Sequence, residues 1–550
     1  MLAGCTPWPS DFAARYREQG YWEDRTLWQM LEATIARRGA GVALVSGDER
    51  ITYDQLGERI ARLACALAGT GLKPLDRVVL QLPNGPEFVY TFFALVRIGV
   101  IPVMALPPHR HTEIRHFIGH ARAVGYFIPD THRNFDFREM AHEVALQAPT
   151  LTHVFVAGTP GRDQIGLAPL LERPRLPGDD RLLEERAPEP DEVALMLLSG
   201  GTTALPKLIP RTHNDYIYNT RQAGRVAGYG EDTVYLAILP MAHNYTLACP
   251  GILAAFANGG RVVISPGTDA ETVFPLIERE RVTLASAAVP LVTNWLNSTV
   301  PERCDLSSLR VMQNGGARLA PALRRQVEQR FGCIFQEDFG TAEGLLSIVR
   351  LDDDDEKRFN SSGCPISPGD EIRVVDDLGR DVLDDEPGEL IVRGPYTIRG
   401  YYNAPEINEQ AFTADGYYRM GDVVRRRDGY VYVEGRKKDL INRGGEKISC
   451  DEVEGYILAH PGVKGACLVA MPDPVYGEKA CAFVIPKPGE SISFAELVEF
   501  LLSQRIAKFK LPERLEIVDE FPISPAGKIL RRRLREMIVE RIGAEAGAAG

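Results

Sequence analysis

Apolar positions recur at helical spacing along much of the chain, and these stretches alternate with short runs of apolar and β-branched residues. A helix is predicted from about Tyr53 to Thr70, followed by the strand-like run RVVLQLPN and by an apolar helix that begins at Phe88. This alternation is typical of α/β layering, in which most strands are parallel. The sequence therefore predicts an α/β fold with mostly parallel sheets.

The pattern changes from about residue 370 onwards. Short strand-like segments follow one another there (EIRVVDDLGR, GELIVRG and DGYVYVEGR) and predict a β-rich subdomain. The segment after Gly435 is rich in lysine, arginine and glycine and predicts a domain boundary. We expect a large N-terminal domain of residues 1–435, with several subdomains, and a small C-terminal α+β domain of residues 436–550. The last residues, AEAGAAG, are expected to form a frayed tail.

Length and charge exclude some classes of protein. A chain of 550 residues is too long for one hydrophobic core, so at least two domains are expected. Asp and Glu number 75 against 63 Lys and Arg, a formal net charge of -12. That balance disfavours nucleic-acid binding, because phosphate contacts require a basic face.

The most apolar stretch begins at Phe88, but Arg97 and Pro102 interrupt it before the roughly 20 residues that a membrane span needs. The nine cysteines form no CxxC pair, and the first residues lack a secretory-signal pattern. We expect a cytoplasmic protein without a disulfide framework, a zinc site, a nucleic-acid partner or a membrane partner.

One glycine-rich segment follows a buried run. SGGTTALPK, from Ser199 to Lys207, comes directly after VALMLL. Its backbone N–H groups and hydroxyls could surround an anion, and Lys207 adds a positive charge. The Walker A pattern is absent, and taken alone the segment could equally be a plain polar turn.

Four further motifs follow in order: FGTAEG (residues 339–344), RMGD (419–422), GRKKDLINRGGEKI (435–448) and PISPAGKI (522–529). With the glycine-rich loop they resemble the motifs of the adenylate-forming superfamily, which includes acyl-CoA synthetases, peptide-synthetase adenylation domains and luciferases. The resemblance covers essentially the whole chain. Two positions depart from the family pattern: Ala204 replaces a usual glycine, and Met420 replaces a usual threonine.

The resemblance implies an enzyme that uses ATP and Mg²⁺. Glu343 would reach the metal, and Lys528 would contact the substrate carboxylate and the α-phosphate, with His243 as a further catalytic residue. The ATP-binding residues implied are Ser199, Gly200, Gly201, Thr202, Thr203, Lys207, Gly316, Ala317, Phe339, Gly340, Thr341, Asp422, Val433 and Arg436, of which Asp422 would accept from the ribose hydroxyls.

The resemblance also implies that the C-terminal domain is mobile. Lys438 would be the pivot of a rotation that removes Lys528 after the first half-reaction. Arg443 and Lys447 would then lie near the incoming thiol arm.

The segment LPMAHNYTLACPG narrows the range of acids that the enzyme is expected to activate. Where amino-acid-activating members carry an aspartate that pairs with the α-ammonium, this chain has Asn244, which cannot compensate a buried ammonium. The HNY…PG run resembles stand-alone aryl-acid–AMP ligases of siderophore biosynthesis, which activate salicylate or 2,3-dihydroxybenzoate. Cys249 occupies a position where dihydroxybenzoate enzymes tend to have serine, and its thiol is a weak partner for a 3-hydroxyl, which favours salicylate.

Asp338 favours an acid whose aromatic ring carries a different substituent. It stands where the matched subfamily usually has a small apolar residue, and nearby Asn314 replaces an apolar one. A buried acid beside a ring requires a donor, such as a ring amine or hydroxyl, although Asp338 could also point to solvent or pair with an arginine. The predicted substrate-binding residues are Asn244, Tyr245, Cys249, Gly315, Asp338, Ala342 and Leu346.

Three alternatives stay open. The acid could be salicylate, 2,3-dihydroxybenzoate or an amino-substituted salicylate. The thiol could belong to a phosphopantetheinylated aryl carrier protein or to CoA. A nucleotide-binding relic without activity is disfavoured, because Glu343, Asp422, Arg436 and Lys528 are all present.

Overall fold

A computed structural model describes the chain except residues 200–204, 438, 445, 505, 525–527 and 549–550, together with the side chains of residue 447 and residues 546–548. The elements up to residue 192 are α1 (Ser10–Glu18), α2 (Leu27–Arg38), β1 (Val42–Ser46), β2 (Glu49–Thr52), α3 (Tyr53–Gly69), β3 (Arg77–Leu80), α4 (Pro86–Arg97), β4 (Ile101–Met104), α5 (His111–Ala121), β5 (Gly125–Pro129), β6 (Thr131–His132), β7 (Phe135–Asp136), α6 (Phe137–Ala145), β8 (His153–Ala157), β9 (Ile165–Gly166), α7 (Leu167–Leu171) and α8 (Asp179–Glu185).

The central part of the chain has a similar alternation of helices and strands. Its elements are β10 (Val193–Leu198), β11 (Leu208–Thr212), α9 (His213–Val226), β12 (Val234–Ala237), α10 (Asn244–Ala248), α11 (Ile252–Asn258), β13 (Arg261–Ile264), α12 (Ala270–Glu280), β14 (Leu284–Ala287), α13 (Val289–Leu296), β15 (Val311–Gly315), α14 (Pro321–Phe331), β16 (Ile334–Thr341), β17 (Gly344–Ile348), α15 (Asp355–Asn360) and β18 (Cys364–Pro365).

Strands dominate the remainder. Its elements are β19 (Glu371–Val375), β20 (Gly388–Arg393), α16 (Pro405–Ala411), β21 (Tyr418–Arg427), β22 (Tyr430–Arg436), β23 (Ile441–Arg443), β24 (Glu446–Ile448), α17 (Cys450–Leu458), β25 (Val463–Asp473), β26 (Gly477–Pro486), α18 (Phe494–Ser503), β27 (Arg514–Ile517) and α19 (Arg531–Ala548). Residues 300–303 and 508–510 form short 3-10 turns.

The prediction for the segment 53–104 is confirmed. Helix α3 begins after Thr52, whose side chain accepts from the Gln55 backbone while Gln55 reaches back to the Thr52 N–H, a capping box that satisfies two of the free donors at the helix start. Its apolar positions are buried, as are those of α4. The run that begins at Phe88 is thus a buried helix that leads into the buried strand β4.

Two large sheets form the core of the N-terminal part. One has the order β18-β17-β16-β15-β14-β12-β13-β1-β2, and the other β11-β10-β4-β3-β5-β8-β9. Pairs between inner strands are parallel, and antiparallel pairs occur only toward the sheet edges. The carboxyl ends of β12, β14, β15 and β16 therefore meet at one edge, where open α/β sheets usually bind ligands.

The predicted β-rich subdomain is a four-stranded antiparallel sheet, β19-β20-β21-β22. The C-terminal part is α+β: the antiparallel sheet β24-β23-β26-β25, with β27 parallel to β26, packs against α17, α18 and α19. The fold class predicted from the sequence is confirmed. The mobility of the C-terminal domain stays a prediction.

The apolar cores of the described residues fall on either side of the segment near residue 436. Those of the N-terminal part end at Val433, and those of the C-terminal part begin at Ile441. Between them, Arg436 pairs with Asp422 at 2.8 Å on the N-terminal side, whereas Asp439 pairs with Arg535 at 3.1 Å on the C-terminal side. A boundary at residue 435 agrees with this division and stays a prediction.

The expected frayed tail is wrong over most of its length, because α19 continues to Ala548. Alanine and glutamate favour helix strongly enough to extend it. All nine cysteines are free thiols. None of the described helices has the length and apolar character of a membrane span.

Candidate active site

Lys528, from the C-terminal part, lies against the N-terminal sheet edge. A β-carbon built on Gly316 would stand 3.4 Å from Lys528 Cε and 3.9 Å from its Nζ. The positive charge of Lys528 adds to the effect of burial that lowers the pKa of His243, and it opposes the burial that raises the pKa of Asp422. The lysine motif, the HNY motif and the RMGD motif are therefore close together in space.

Gly316 begins the turn after β15. Its φ of +85° lies in the left-handed region, which glycine adopts at no steric cost and other residues adopt under strain. Asn314 stabilises this turn, because its Nδ2 donates to Ala317 O at 2.8 Å and to Glu337 Oε2 at 3.1 Å. Glu337 in turn pairs with the buried Arg324 at 3.1 Å. The polar residue at 314, which departs from the family pattern, therefore fixes the backbone under Lys528.

Asp422 is 3% exposed and pairs with Arg436 through one carboxylate oxygen, at 2.8 Å. Within the described part of the chain its other oxygen, Oδ2, has no hydrogen-bond partner. Burial raises the pKa of Asp422 to about 6, although the Arg436 and Lys528 charges oppose the shift. A buried acceptor of this kind fits a ligand that brings hydroxyl donors.

Glu343 and Lys207 meet at Tyr401. The Tyr401 hydroxyl donates to Glu343 Oε1 at 2.8 Å, and Lys207 Nζ lies 4.1 Å from the centre of the Tyr401 ring. The two ends of the glycine-rich loop are tied together, because Ser199 N donates to Lys207 O at 3.0 Å and Lys207 N donates to Ser199 Oγ at 2.9 Å. Gly200, Gly201, Thr202, Thr203 and Ala204 lie outside the described residues.

A metal ion has few protein ligands here. Among the residues that the structure describes, no three His, Cys, Asp or Glu side chains are grouped to hold a metal. Mg²⁺ commonly binds through one or two carboxylates together with nucleotide phosphates. Glu343, 6% exposed beside Lys207, fits that mode.

His243 precedes α10. Its Nδ1 accepts from the Tyr245 backbone N–H at 3.2 Å, which leaves Nε2 to carry the proton of the neutral ring. Burial, followed by repulsion from Lys528, lowers the pKa of His243 to about 4. At neutral pH the ring is therefore an uncharged donor.

Asn244 and Cys249 form one side of the predicted acid pocket. The Tyr216 hydroxyl donates to Asn244 Oδ1 at 2.7 Å, and Asn244 Nδ2 lies 3.1 Å from Cys249 Sγ. Asn219 Nδ2 also approaches this sulfur, at 3.6 Å. Burial raises the pKa of Cys249 to about 11, so it is a neutral thiol.

Tyr245 and Asp338 form another side. Gly315 pairs with Asp338 in the sheet register, and a β-carbon on Gly315 would lie 2.7 Å from the Tyr245 ring. Only glycine therefore admits this ring, whose hydroxyl donates to Asp338 Oδ2 at 2.9 Å. Asp338 is 5% exposed, so it does not point to solvent, and its described partner is a tyrosine, not an arginine.

The remaining predicted residues support the backbone around this edge. Gly340 lies so close to β17 that an added β-carbon would stand 2.3 Å from Leu345 O. Thr341 Oγ1 donates to Gly344 O, Ala342 O accepts from Arg211, Leu346 N donates to the Tyr396 hydroxyl, Val433 O accepts from Arg318, and Phe339 packs against the main core.

The predicted hinge residues lie apart from this edge or outside the described set. Arg443 pairs with Glu513 at 2.5 Å, and its guanidinium stacks 4.1 Å from the centre of the Tyr476 ring. Lys438 and the Lys447 side chain are outside the described residues. The described contacts of Arg443 are thus all within the C-terminal part.

Sequence reasoning missed three tyrosines. Tyr401 links Lys207 to Glu343, Tyr216 holds the Asn244 amide, and Tyr229 lies near Asp338, whose charge raises the tyrosine's pKa. Tyr401 lies within the run VRGPYTIRGYY, but nothing in a single sequence distinguishes it from its neighbour Tyr402.

Comparisons with known proteins agree with this arrangement. A family model described as AMP-binding enzyme matches residues 31–402, and one described as AMP-binding enzyme C-terminal domain matches residues 452–528. The chain is 46% identical over 543 residues to the 2,3-dihydroxybenzoate-AMP ligase of Bacillus subtilis (strain 168), covering 98% of this chain and 99% of that protein.

A second relative, the salicylyl-CoA synthase / salicylate adenylyltransferase of a Streptomyces species, is also 46% identical over 543 residues, covering 97% of this chain and 98% of that protein. Among solved structures, the apo structure of Mycobacterium smegmatis MbtA superposes with a TM-score of 0.75 at 40% identity, covering 97% of this chain and 99% of that one.

Proposed function

Because the chain belongs to the family of AMP-binding enzymes, as its two matched regions and full-length relatives show, we propose that it activates a 2-hydroxybenzoate-type acid. In the first half-reaction a carboxylate oxygen attacks the α-phosphorus of ATP, which gives aryl-AMP and releases pyrophosphate. In the second, the phosphopantetheine thiol of an aryl carrier protein attacks the acyl carbon, so that a thioester forms and AMP leaves. The product enters siderophore-type peptide assembly.

Family membership confirms the resemblance to adenylate-forming enzymes, and the chain is a ligase of that type. The alternative of an inactive nucleotide-binding relic has no support from the site. Asp422 pairs with Arg436, Tyr401 contacts both Glu343 and Lys207, and Lys528 acts on the pKa of Asp422, which supports an intact nucleotide site.

The proposal for the first half-reaction rests on the position of Lys528. Negative charge accumulates on the α-phosphate as the two anions meet, and a preorganised cation stabilises it. Lys528 lies beside Gly316 and acts on the pKa values of both His243 and Asp422. A lysine in that place can contact the carboxylate and the α-phosphate together, and the neutral His243 adds an Nε2–H donor.

The nucleotide would be held at three points. The orphan Asp422 Oδ2 accepts from the ribose hydroxyls, with Arg436 fixing the other oxygen. Ser199 and Lys207, at the ends of the glycine-rich loop, contact the departing phosphates. Glu343 is the ligand for Mg²⁺, which when bound neutralises phosphate charge.

Asn244 is the residue that recognises the acid through a hydrogen bond. Tyr216 occupies its carbonyl oxygen and one amide N–H is directed at Cys249 Sγ, so the other N–H is the donor that a bound acid can use. A 2-hydroxyl oxygen or a carboxylate can accept from that amide, whereas an ammonium cannot. This chemistry supports an aryl acid without an α-amino group, in agreement with the acids for which the two relatives are named.

The carrier protein is proposed as the acceptor, and CoA is the second candidate because one relative is named as a salicylyl-CoA synthase. The hinge supports a two-state mechanism, since Arg436 is tied to the N-terminal part and Asp439 to the C-terminal part. Lys438 lies between them as the pivot, with Arg443 and Lys447 carried toward the thiol.

Incubation with salicylate and ATP, together with either a phosphopantetheinylated aryl carrier protein or CoA, tests this proposal. Intact-mass detection should show aryl thioester on the carrier at limiting enzyme, with the apo carrier as the control. Efficient acylation of CoA with none of the carrier would assign the second candidate instead. Absence of AMP release with every aryl acid would reject the proposed function.

A further inference from the structure

One carboxylate oxygen in the acid pocket lacks a partner. Asp338 Oδ2 accepts from Tyr245, but within the described residues Oδ1 has no hydrogen-bond partner. The side chain is 5% exposed, so bulk water is not a ready substitute. Buried polar groups are nearly always satisfied in folded proteins, and one that is not calls for a ligand or a water.

The surroundings of Asp338 include several hydrogen-bond donors. Tyr229, whose hydroxyl also lacks a partner among the described residues, lies with its ring centre 6.2 Å from that of Tyr235. The charge of Asp338 raises the pKa of both tyrosines, after the larger effect of burial. Tyrosine hydroxyls thus already supply donors here, and what Asp338 adds is the capacity to accept.

Asp338 also lies near the residues that are proposed to bind the acid, Asn244 and Cys249. It is paired in register with Gly315, whose missing side chain admits the Tyr245 ring, and Tyr245 directly follows Asn244. The charge of Asp338 acts on Cys249 as well. Asp338 is therefore linked to Asn244 through the adjacent Tyr245 and lies within electrostatic range of Cys249.

Resting on the function proposed above, we propose that Asp338 is a specificity-determining residue that accepts a hydrogen bond from an N–H or O–H donor on the aryl ring. The preferred acid is then a 2-hydroxyaryl acid with a second donor, such as a ring amine. Arylamines and phenols are neutral at pH 7 and can donate to Oδ1. Burial raises the pKa of Asp338, and if the carboxyl is protonated, Oδ1 remains the accepting carbonyl when the proton is on Oδ2 and is donated to the Tyr245 oxygen 2.9 Å away.

Salicylate alone would leave Asp338 Oδ1 bare in the closed pocket. A site built around a polar contact rejects an analogue that lacks the matching group, by up to about 10⁴ in kcat/KM. The contact is made equally in the ground state and the transition state, because the ring substituent does not react. Its loss should therefore appear mainly in KM, with kcat less affected.

The test is pyrophosphate exchange by the wild-type protein and by Asp338→Val, with salicylate, the isomeric aminosalicylates and the matching dihydroxybenzoates. At least one donor-bearing acid should exceed salicylate about tenfold or more in kcat/KM in the wild type. Asp338→Val should lower that ratio by a similar factor, mainly through KM. The amino and hydroxy series distinguish an N–H donor from an O–H donor.

Glu337→Gln is the matched control. Glu337 is the adjacent buried acid of the same strand, but it faces Arg324 and Asn314. Its loss can lower exchange with every acid through the turn under Lys528, but the ratio between acids should not change. Asp338→Asn keeps an accepting oxygen and should retain part of the preference. It also serves as the test variant if thermal melting shows that the valine variant is unfolded.

Salicylate as the best acid, with a ratio that neither Asp338 variant changes, would overturn the inference and leave the proposed function intact. No exchange by the wild-type protein with any aryl acid would reject the proposed function, and the role of Asp338 with it.

Discussion

Lys528 and Gly316 lie in contact across the boundary between the two parts of the chain. A β-carbon on Gly316 would stand 3.4 Å from Lys528 Cε, so the lysine side chain lies directly over the backbone turn after β15. The left-handed φ of +85° at Gly316, the Asn314 bonds that hold the turn and the lysine belong to one structural unit. This orientation of the C-terminal part places Lys528 where the proposed first half-reaction requires it.

The first prediction concerns Lys528 itself. Lys528→Ala should lower pyrophosphate exchange by about 10²–10³, the usual effect of removing one preorganised contact to a transition-state charge. ATP affinity should change little, because this contact serves the transition state more than the ground state. Exchange kinetics and calorimetric ATP binding measure the two quantities. An unchanged exchange rate would remove Lys528 from the site.

Gly316→Ala tests the contact from the other side. Alanine should cost about 1 kcal/mol of stability for its left-handed backbone. A shift of the turn that relieves this strain should alter the contact with Lys528, so exchange should fall. Gly332→Ala is the matched control, because Gly332 has a φ of +68° at the end of α14 and an added β-carbon there meets nothing within 4 Å. It should lower the melting temperature by a similar amount and leave exchange unaltered. Equal effects of both variants on exchange would argue against a specific contact.

A pH dependence follows from Asp422. The carboxylate form accepts from ribose hydroxyls, and burial raises the pKa of this group to about 6. Nucleotide affinity should therefore be full above that pKa and decline as pH falls through it, with a rising KM for ATP. His243, with its pKa lowered to about 4, titrates below this window. Asp422→Asn should weaken ATP binding and abolish the inflection. A KM that is flat across this pH range in the wild type would contradict the assignment.

The fourth prediction concerns Cys249. Cys249→Ser should improve 2,3-dihydroxybenzoate relative to salicylate by about 1 kcal/mol, or about fivefold in kcat/KM, the usual net contribution of one hydrogen bond. The neighbouring donors Asn219 and Asn244 can orient a hydroxyl there as they do the thiol. Cys333→Ser, a buried thiol in a separate core, is the control and should not alter the ratio. A ratio that is the same in all three proteins would show that Cys249 does not face the ring.

Much of the fold could be predicted from the sequence because its signals are local. Thr52 and Gln55 mark the start of α3, and the apolar run from Phe88 marks a buried helix and strand. The prediction for the end of the chain was wrong. The alanine and glutamate residues of AEAGAAG favour a helix, and α19 extends to Ala548.

The site could be predicted only in part. Motif resemblance identified Lys528, Asp422 and Arg436, and the structure brings them together. It could not reveal that Tyr245 bonds Asp338, or that Tyr401 lies between Lys207 and Glu343. Such contacts join residues far apart in the chain, and no periodicity or spacing in one sequence encodes them.

The most direct test of the central claim is pyrophosphate exchange by the wild-type protein with salicylate and with benzoate, measured side by side. If Asn244, held by Tyr216, hydrogen-bonds the 2-hydroxyl of salicylate, benzoate should be the poorer substrate because it lacks that group. The difference in kcat/KM can reach about 10⁴. If benzoate is used as well as salicylate, Asn244 does not read the hydroxyl, and the assignment of this chain to 2-hydroxybenzoate-type acids is wrong.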